Sequence, residues 1–363
     1  MSMPDMKRRW RRVAFAAAAL LGAATSGAQA KDAFVFAWPS AVNSGVAPLT
    51  FARQLGYFDA ENLDVQIQVL TGSGVIIPQL MAGKINAAYA SLEPLVIARQ
   101  PGKPNFPLRF VYNLFPRTIW EFAVLEGSPI RSLADLRGRT IGVLALSSGN
   151  IYMTRAMLQA AGVPWNEVKL QAVGTGVSAF EALRNGQIDV LNLFDTAHVR
   201  LEQAGTPIRR LEIPSALLNS SSHGIEVTDA ALRSNPDLFE RFGRALTKGS
   251  VACRANLPAC VRSYWAAYPA LRPTTGTEEE NLRREVQVLE LRMRNLMPPG
   301  SGTERPHGAF SDADWTILID ALRVGGEVSN TNVPLATLYT NALVPGYNRF
   351  DPASVEAEAR AAQ

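Results

Sequence analysis

Residues 34–70 constrain the fold of this chain more than any other stretch. Residues 34–38 are an apolar run rich in aromatic and β-branched side chains, as a buried strand requires, and the run stops at Pro39. A loop of small residues follows (Ser40, Asn43, Ser44, Gly45). Pro48 then suits the first turn of a helix, where its missing N–H would lack a partner anyway. Leu49, Ala52, Leu55 and Phe58 keep one apolar face at helical spacing, Gly56 sits near the helix end, and Val65, Ile67 and Val69 alternate as a second strand. The right-handed crossover of such a β-loop-α-β unit sets its strands parallel. Ligands of parallel sheets bind beyond the carboxyl ends of the strands, so the loop 39–47 is the first expected wall of a cleft.

The alternation continues along the chain. Strands are expected at 85–91, 109–115, 120–125, 140–144, 168–173, 190–194 and 208–213, mostly separated by helices, which argues for a parallel sheet in each of two domains. Glu126-Gly-Ser-Pro129 breaks the pattern and marks the expected crossing into the second domain, while 224–228 is expected to lead back to the first. Later segments read as helices (229–256, 259–267, 277–296 and 311–324) and are expected to pack on the first domain. The expected division is therefore 1–30 as an export leader, 31–126 plus 223–363 as one lobe, and 127–222 as the other.

The stretches Ala47-Pro-Leu49, Ala52-Arg-Gln-Leu-Gly-Tyr-Phe58 and Glu61-Asn-Leu-Asp-Val65 resemble the solute-binding proteins of ABC importers. The branch is the one serving nitrate, sulfonates, taurine and thiamine-type pyrimidines. The resemblance continues through Ser132–Val143, Ala182–Asp189 and Tyr264-Trp-Ala-Ala-Tyr-Pro269, and so covers nearly all of residues 31–363. It implies an α/β, two-lobed type II periplasmic-binding-protein fold: a mostly parallel sheet flanked by helices in each lobe, and two hinge crossings between them.

Composition agrees with export. Lys7, Arg8, Arg9, Arg11 and Arg12 precede an apolar stretch at 13–22 and a small-residue cleavage site, Ala28-Gln29-Ala30. The apolar stretch is shorter than the roughly 20 residues a membrane span needs. The chain carries a formal net charge of +4, but the leader holds five of its basic residues and one acid, which leaves residues 31–363 balanced. Charge therefore gives no argument for nucleic-acid or membrane binding. Export also places Cys253 and Cys260 in an oxidising compartment. One unbroken helix would hold them about 10 Å apart along its axis. Asn256-Leu-Pro258 breaks such a helix, so a disulfide and two separate buried thiols are both open.

Three helix starts offer bare N–H groups: Gly72-Ser73-Gly74, Ser147-Ser148-Gly149 and Thr175-Gly176. Each has an ordinary capping role as its alternative, and their position after successive strands favours a ligand. Glu93 and Asp195 each follow a strand, and two carboxylates facing a cleft call for a cation or several donors. Asp195 has the alternative of capping a helix. Trp38, Phe115, Trp120 and Phe194 offer stacking faces, while Arg53 and Arg117 keep an anionic ligand open. The expected ligand-binding set is Trp38, Ser40, Asn43, Gly72, Ser73, Glu93, Trp120, Ser147, Ser148, Gly149, Thr175 and Asp195, and the expected ligand is a planar heterocycle or zwitterion, or else a sulfonate, nitrate or carboxylate.

No cofactor or metal is expected. His198, His223 and His307 stand alone without metal-ligand spacing, and no Gly-x-Ser-x-Gly elbow, phosphate loop or dinucleotide fingerprint occurs. The same fold includes a thiamine-pyrimidine synthase, but its cysteine-rich signature is missing, which disfavours the enzyme alternative. The expectation is a monomeric periplasmic receptor that delivers a small solute to an inner-membrane ABC permease driven by its ATPase.

Overall fold

The computed structural model describes residues 30–362. The expected leader falls almost wholly outside the described residues. Among the described residues, ten strands form two five-stranded sheets. The first sheet contains β1 (Asp32–Trp38), β2 (Leu63–Val69), β3 (Ala87–Ser91) and β4 (Leu108–Phe115). The second contains β5 (Trp120–Leu125), β6 (Thr140–Val143), β7 (Lys169–Ala172), β8 (Val190–Phe194) and β9 (Ile208–Leu211). The chain then returns to the first sheet as β10 (His223–Thr228).

The two sheets share one plan. Their orders are β2-β1-β3-β10-β4 and β7-β6-β8-β5-β9. In the first, β1 runs parallel to β2 and β3, and β10 opposes both β3 and β4. In the second, β6 runs parallel to β7 and β8, and β5 opposes both β8 and β9. Each sheet thus has four strands in one direction and one against. In both cases the opposing strand is the one entered directly from the other sheet.

This pattern moves the first crossing. Trp120–Leu125, expected in the first lobe, pairs with β8 and β9 and belongs to the second sheet. The chain therefore crosses at 116–119 and not at 126–129. Both sides of this strand need partners, and the second sheet offers an open ladder on each.

Apolar residues at the expected periods make the core. Phe34 and Phe36 of β1 pack on Phe242 of the Pro236–Ala255 helix, with ring centroids 4.2 and 5.1 Å apart. The expected single helix over 229–256 is two, Asp229–Ser234 and Pro236–Ala255, because Asn235 caps the second and Pro236 opens it. Cys253 and Cys260 are joined by a disulfide. Asn256 accepts from the Ala259 N–H, starts a new helix and turns the chain, bringing the two Cα atoms to 5.1 Å.

The helical tail is not confined to the first sheet. Glu285, Arg292 and Asn295 of the Glu278–Leu296 helix bond to Arg200 and Asp195 in the Asp195–Gln203 helix that follows β8. The Asp312–Val324 helix lies beside Ile151–Ala160, and Arg155 pairs with Glu327 at 2.5 Å. The second lobe carries the opposite charges, so these helices span both lobes.

Candidate functional site

A narrow cleft lies between the two sheets. Trp38, Ser91 and Phe115 stand at the carboxyl ends of β1, β3 and β4, and Phe194 at that of β8. Ser40 and Asn43 belong to the loop after β1, Gly72 and Ser73 open the helix after β2, and Ser148, Gly149 and Asn150 follow β6. Trp120 and His223 enter at the opposite ends of the two opposing strands. The cleft therefore sits at the strand tips, where an open α/β sheet leaves helix starts and loops free to converge.

Aromatic rings form its walls. Trp38 meets Tyr89 edge-on at 4.9 Å, Tyr89 meets His223 edge-on at 4.9 Å, and His223 lies 5.8 Å from Trp120. Trp120 in turn meets Phe194 at 6.2 Å. This chain of rings passes from the first lobe to the second at the His223–Trp120 contact. His223 lies 3.2 Å from Ser91 Oγ and 3.0 Å from Ser222 Oγ. Burial, with the Arg292 charge added, pushes its pKa down to about 3, so the ring is neutral at ordinary pH.

Arg292 is the one charged side chain among the described lining residues. Its guanidinium stacks over Phe115 at 5.0 Å and Phe194 at 5.6 Å. One Nη donates to Asp195 Oδ1 and to Thr196 Oγ1, each at 2.8 Å. Asp195 also accepts from the Thr196 N–H at 2.6 Å and from Asn295. Burial raises the Asp195 pKa while Arg292 opposes the rise.

Several buried donors have no partner: Trp38 Nε1, Trp120 Nε1, Ser148 Oγ and Arg292 Nε. All four residues line the cleft. Trp265 Nε1, Trp315 Nε1, Arg155 Nε and Arg209 Nε are also unpartnered away from the cleft, but the four that share the cleft face a space that an acceptor from outside the chain could enter.

Eight of the twelve expected site residues line the cavity: Trp38, Ser40, Asn43, Gly72, Ser73, Trp120, Ser148 and Gly149. Asn43 doubles as a cap, accepting from the Gly45 N–H at 2.9 Å. Ser147 is exposed; its Oγ donates to Thr71 O and its carbonyl accepts from the Gly74 N–H, so it joins the lobes outside the cavity. Thr175 is half-buried and not among the lining residues. Asp195 is buried and turned to Arg292, with no place in the lining itself.

Glu93 is also outside the lining. It opens the Glu93–Ala98 helix, is 1 % exposed, and leaves Oε2 without a partner. Burial pushes its pKa up to about 8 from 4.5. A carboxyl raised in the folded state is stabilising while protonated, and that contribution is lost as pH rises through the folded pKa. Glu93→Gln is therefore expected to match the parent near pH 4 and to gain on the order of a few kcal/mol by pH 9, read by urea unfolding across that range. Glu226, also buried and pushed up to about 8, leaves a residual slope of the same sign in the variant. A variant no better than the parent at pH 9 would contradict this placement.

Arg53 donates to Val65 O, and Arg117 lies outside the cleft lining, so neither expected cation serves this cavity. Arg292 was not foreseen. Its signal was a charge on an apolar helical stripe, three and four residues after Leu289 and Val288. His223 was foreseen only as an isolated histidine. Among the described residues no cluster of His, Cys, Asp or Glu could hold a metal, and no helix is long and apolar enough to cross a membrane.

Two mixed α/β lobes around a cleft at their strand tips define the periplasmic-binding-protein fold. Residues 43–257 match the family described as NMT1/THI5 like, and the chain belongs to that family. It is 26 % identical over 308 residues to the riboflavin-binding protein RibY of Chloroflexus aurantiacus, with 84 % of each chain covered. It is 23 % identical over 261 residues to 4-amino-5-hydroxymethyl-2-methylpyrimidine phosphate synthase of Candida albicans, covering 68 % of this chain and 73 % of the relative. Among solved structures, the alkanesulfonate-binding protein SsuA of Xanthomonas axonopodis pv. citri superposes with a TM-score of 0.62 at 14 % identity, over 86 % of this chain and 99 % of that one.

Proposed function

We propose that this chain is the solute-capturing component of an ABC import system, exported to the periplasm, and that its ligand is a planar heteroaromatic molecule with acceptor atoms on its edge. The reading is carried by the orphaned donors of Trp38, Trp120, Ser148 and Arg292, set among aromatic walls between two lobes. Flat rings stack well on indole and phenyl faces, and ring nitrogens or carbonyl oxygens satisfy N–H and O–H donors without adding charge. The riboflavin-binding relative supports this class. A ligand contacting both lobes favours the closed arrangement only by its preference for it, and a closed pair of lobes is what a membrane permease would receive. The enzyme alternative has no support from the cysteines, since the only two in the chain are bonded to each other.

Native mass spectrometry of protein purified without refolding should show a retained solute. Titration with a panel of heterocycles should give saturable quenching of tryptophan fluorescence. Trp120→Ala is expected to weaken that binding by roughly ten- to a hundredfold, as loss of one stacking face of about 1–3 kcal/mol implies. A protein that binds none of the panel but turns over a pyrimidine precursor would reverse the reading.

A further inference from the structure

Arg292 and Asp195 come from elements 97 residues apart and meet with both side chains almost fully buried, 5 % and 3 % exposed. The pair brings a net charge of zero to the edge of the cleft. His223, which faces the same space, lies between two serine hydroxyls and carries no charge. An anion entering the cavity would be drawn to the guanidinium and pushed back by the carboxylate 2.8 Å behind it. Inside a low-dielectric site these two effects largely cancel, while the desolvation cost of the anion remains. The unpartnered Nε of Arg292 still offers one charge-assisted donor to a neutral acceptor.

We propose that Asp195 selects the charge class of the ligand by cancelling Arg292, so that the cleft takes neutral, acceptor-bearing molecules and rejects anions such as sulfonates and nitrate. This rests on the binding-protein reading above. Asp195 acts as a positioning residue: it does not line the cavity and works through the guanidinium that does. Asn295, Thr196 Oγ1 and the Thr196 N–H remain in place around it when only its charge is removed.

Asp195→Asn keeps the size of the side chain and leaves the Arg292 charge uncancelled. In this variant nitrate or methanesulfonate, added at fixed ionic strength against gluconate, should bind saturably, with a midpoint at least tenfold below the highest concentration at which the parent still shows no saturation. The binding should appear both as a rise in melting temperature and as a change in tryptophan fluorescence. Asp195→Asn combined with Arg292→Gln should abolish it, which a general effect of salt on stability would not do. The proposal is overturned if the parent protein itself binds either anion saturably, or if Asp195→Asn gains no anion binding. Should Asp195→Asn fail to fold, the parent titration still decides, because saturable anion binding there refutes the proposal and its absence supports it. A parent protein that takes up no heterocycle would defeat the heteroaromatic-ligand reading while leaving the anion titration of Asp195→Asn readable.

Discussion

Arg292→Leu is expected to lower the unfolding free energy by about 3–5 kcal/mol, because it strips the cation from a carboxylate that stays buried. Two donors would remain on Asp195, the Thr196 N–H and Asn295, and neither carries charge. The loss should depend on pH with a definite sign. Arg292 now holds the raised Asp195 pKa down, so its removal lets that pKa climb further. A carboxyl with a raised folded pKa is penalised above it and relieved by protonation below it. The deficit of the variant should therefore be smaller at pH 5 than at pH 8 in urea unfolding curves. Asp195→Leu with Arg292→Leu should recover most of the stability, since replacing both members of a buried pair by apolar groups is often neutral or better. A double variant that loses the sum of the two single losses would show that the two side chains act independently.

Gly149→Val should act on binding more than on folding. A Cβ at Gly149 would lie 2.6 Å from Ser91 Cβ and 2.9 Å from Ser73 Oγ. Ser91 and Ser73 belong to the first lobe, and Gly149 to the loop after β6 of the second. The added side chain is a wedge between lobes, and separating them relieves it. Overpacking of this kind costs about 1–3 kcal/mol. Affinity for the retained solute should fall by roughly ten- to a hundredfold while the melting temperature without solute changes little. Small-angle scattering should show a radius of gyration that no longer contracts when solute is added. Unchanged affinity would mean that the lobes need not meet at this point. Gly72 marks a second close approach, where a Cβ would fall 2.6 Å from Ser147 Oγ; its φ of +86° also belongs to a region glycine occupies readily.

Much of the fold was legible because its signals are local. The run at 34–38, the small-residue loop and the helix with Pro48 near its start are patterns of neighbouring residues, and the structure places β1 and the Ala47–Gln54 helix on them. Gly72, Ser73, Ser148 and Gly149 were legible as cleft residues for a related reason. A helix start after a parallel strand can only sit at one edge of its sheet. Three features were not legible. Trp120–Leu125 reads as a strand either way, and only the open ladders beside β8 and β9 decide its sheet. Glu93 looked like a cleft carboxylate by its distance after β3, but the first turn of its helix buries it away from the cavity. Asp195 looked the same by the same spacing, and an arginine from the far end of the chain claims it.

The order of strands and helices, and the edge at which a ligand would lie, follow from the sequence alone, because periodicities of two and 3.6 residues and the residues that end them act over a few positions. Trp38, Phe115, Trp120 and Phe194 are legible in the sequence as wall aromatics, whereas the charge of the cleft and the entry of Tyr89 and His223 into its walls were settled by tertiary structure. Coulomb and packing energies depend on separation in space, and the chain brings Arg292 to Asp195, and His223 to Trp120, across gaps of about a hundred residues that no local pattern records.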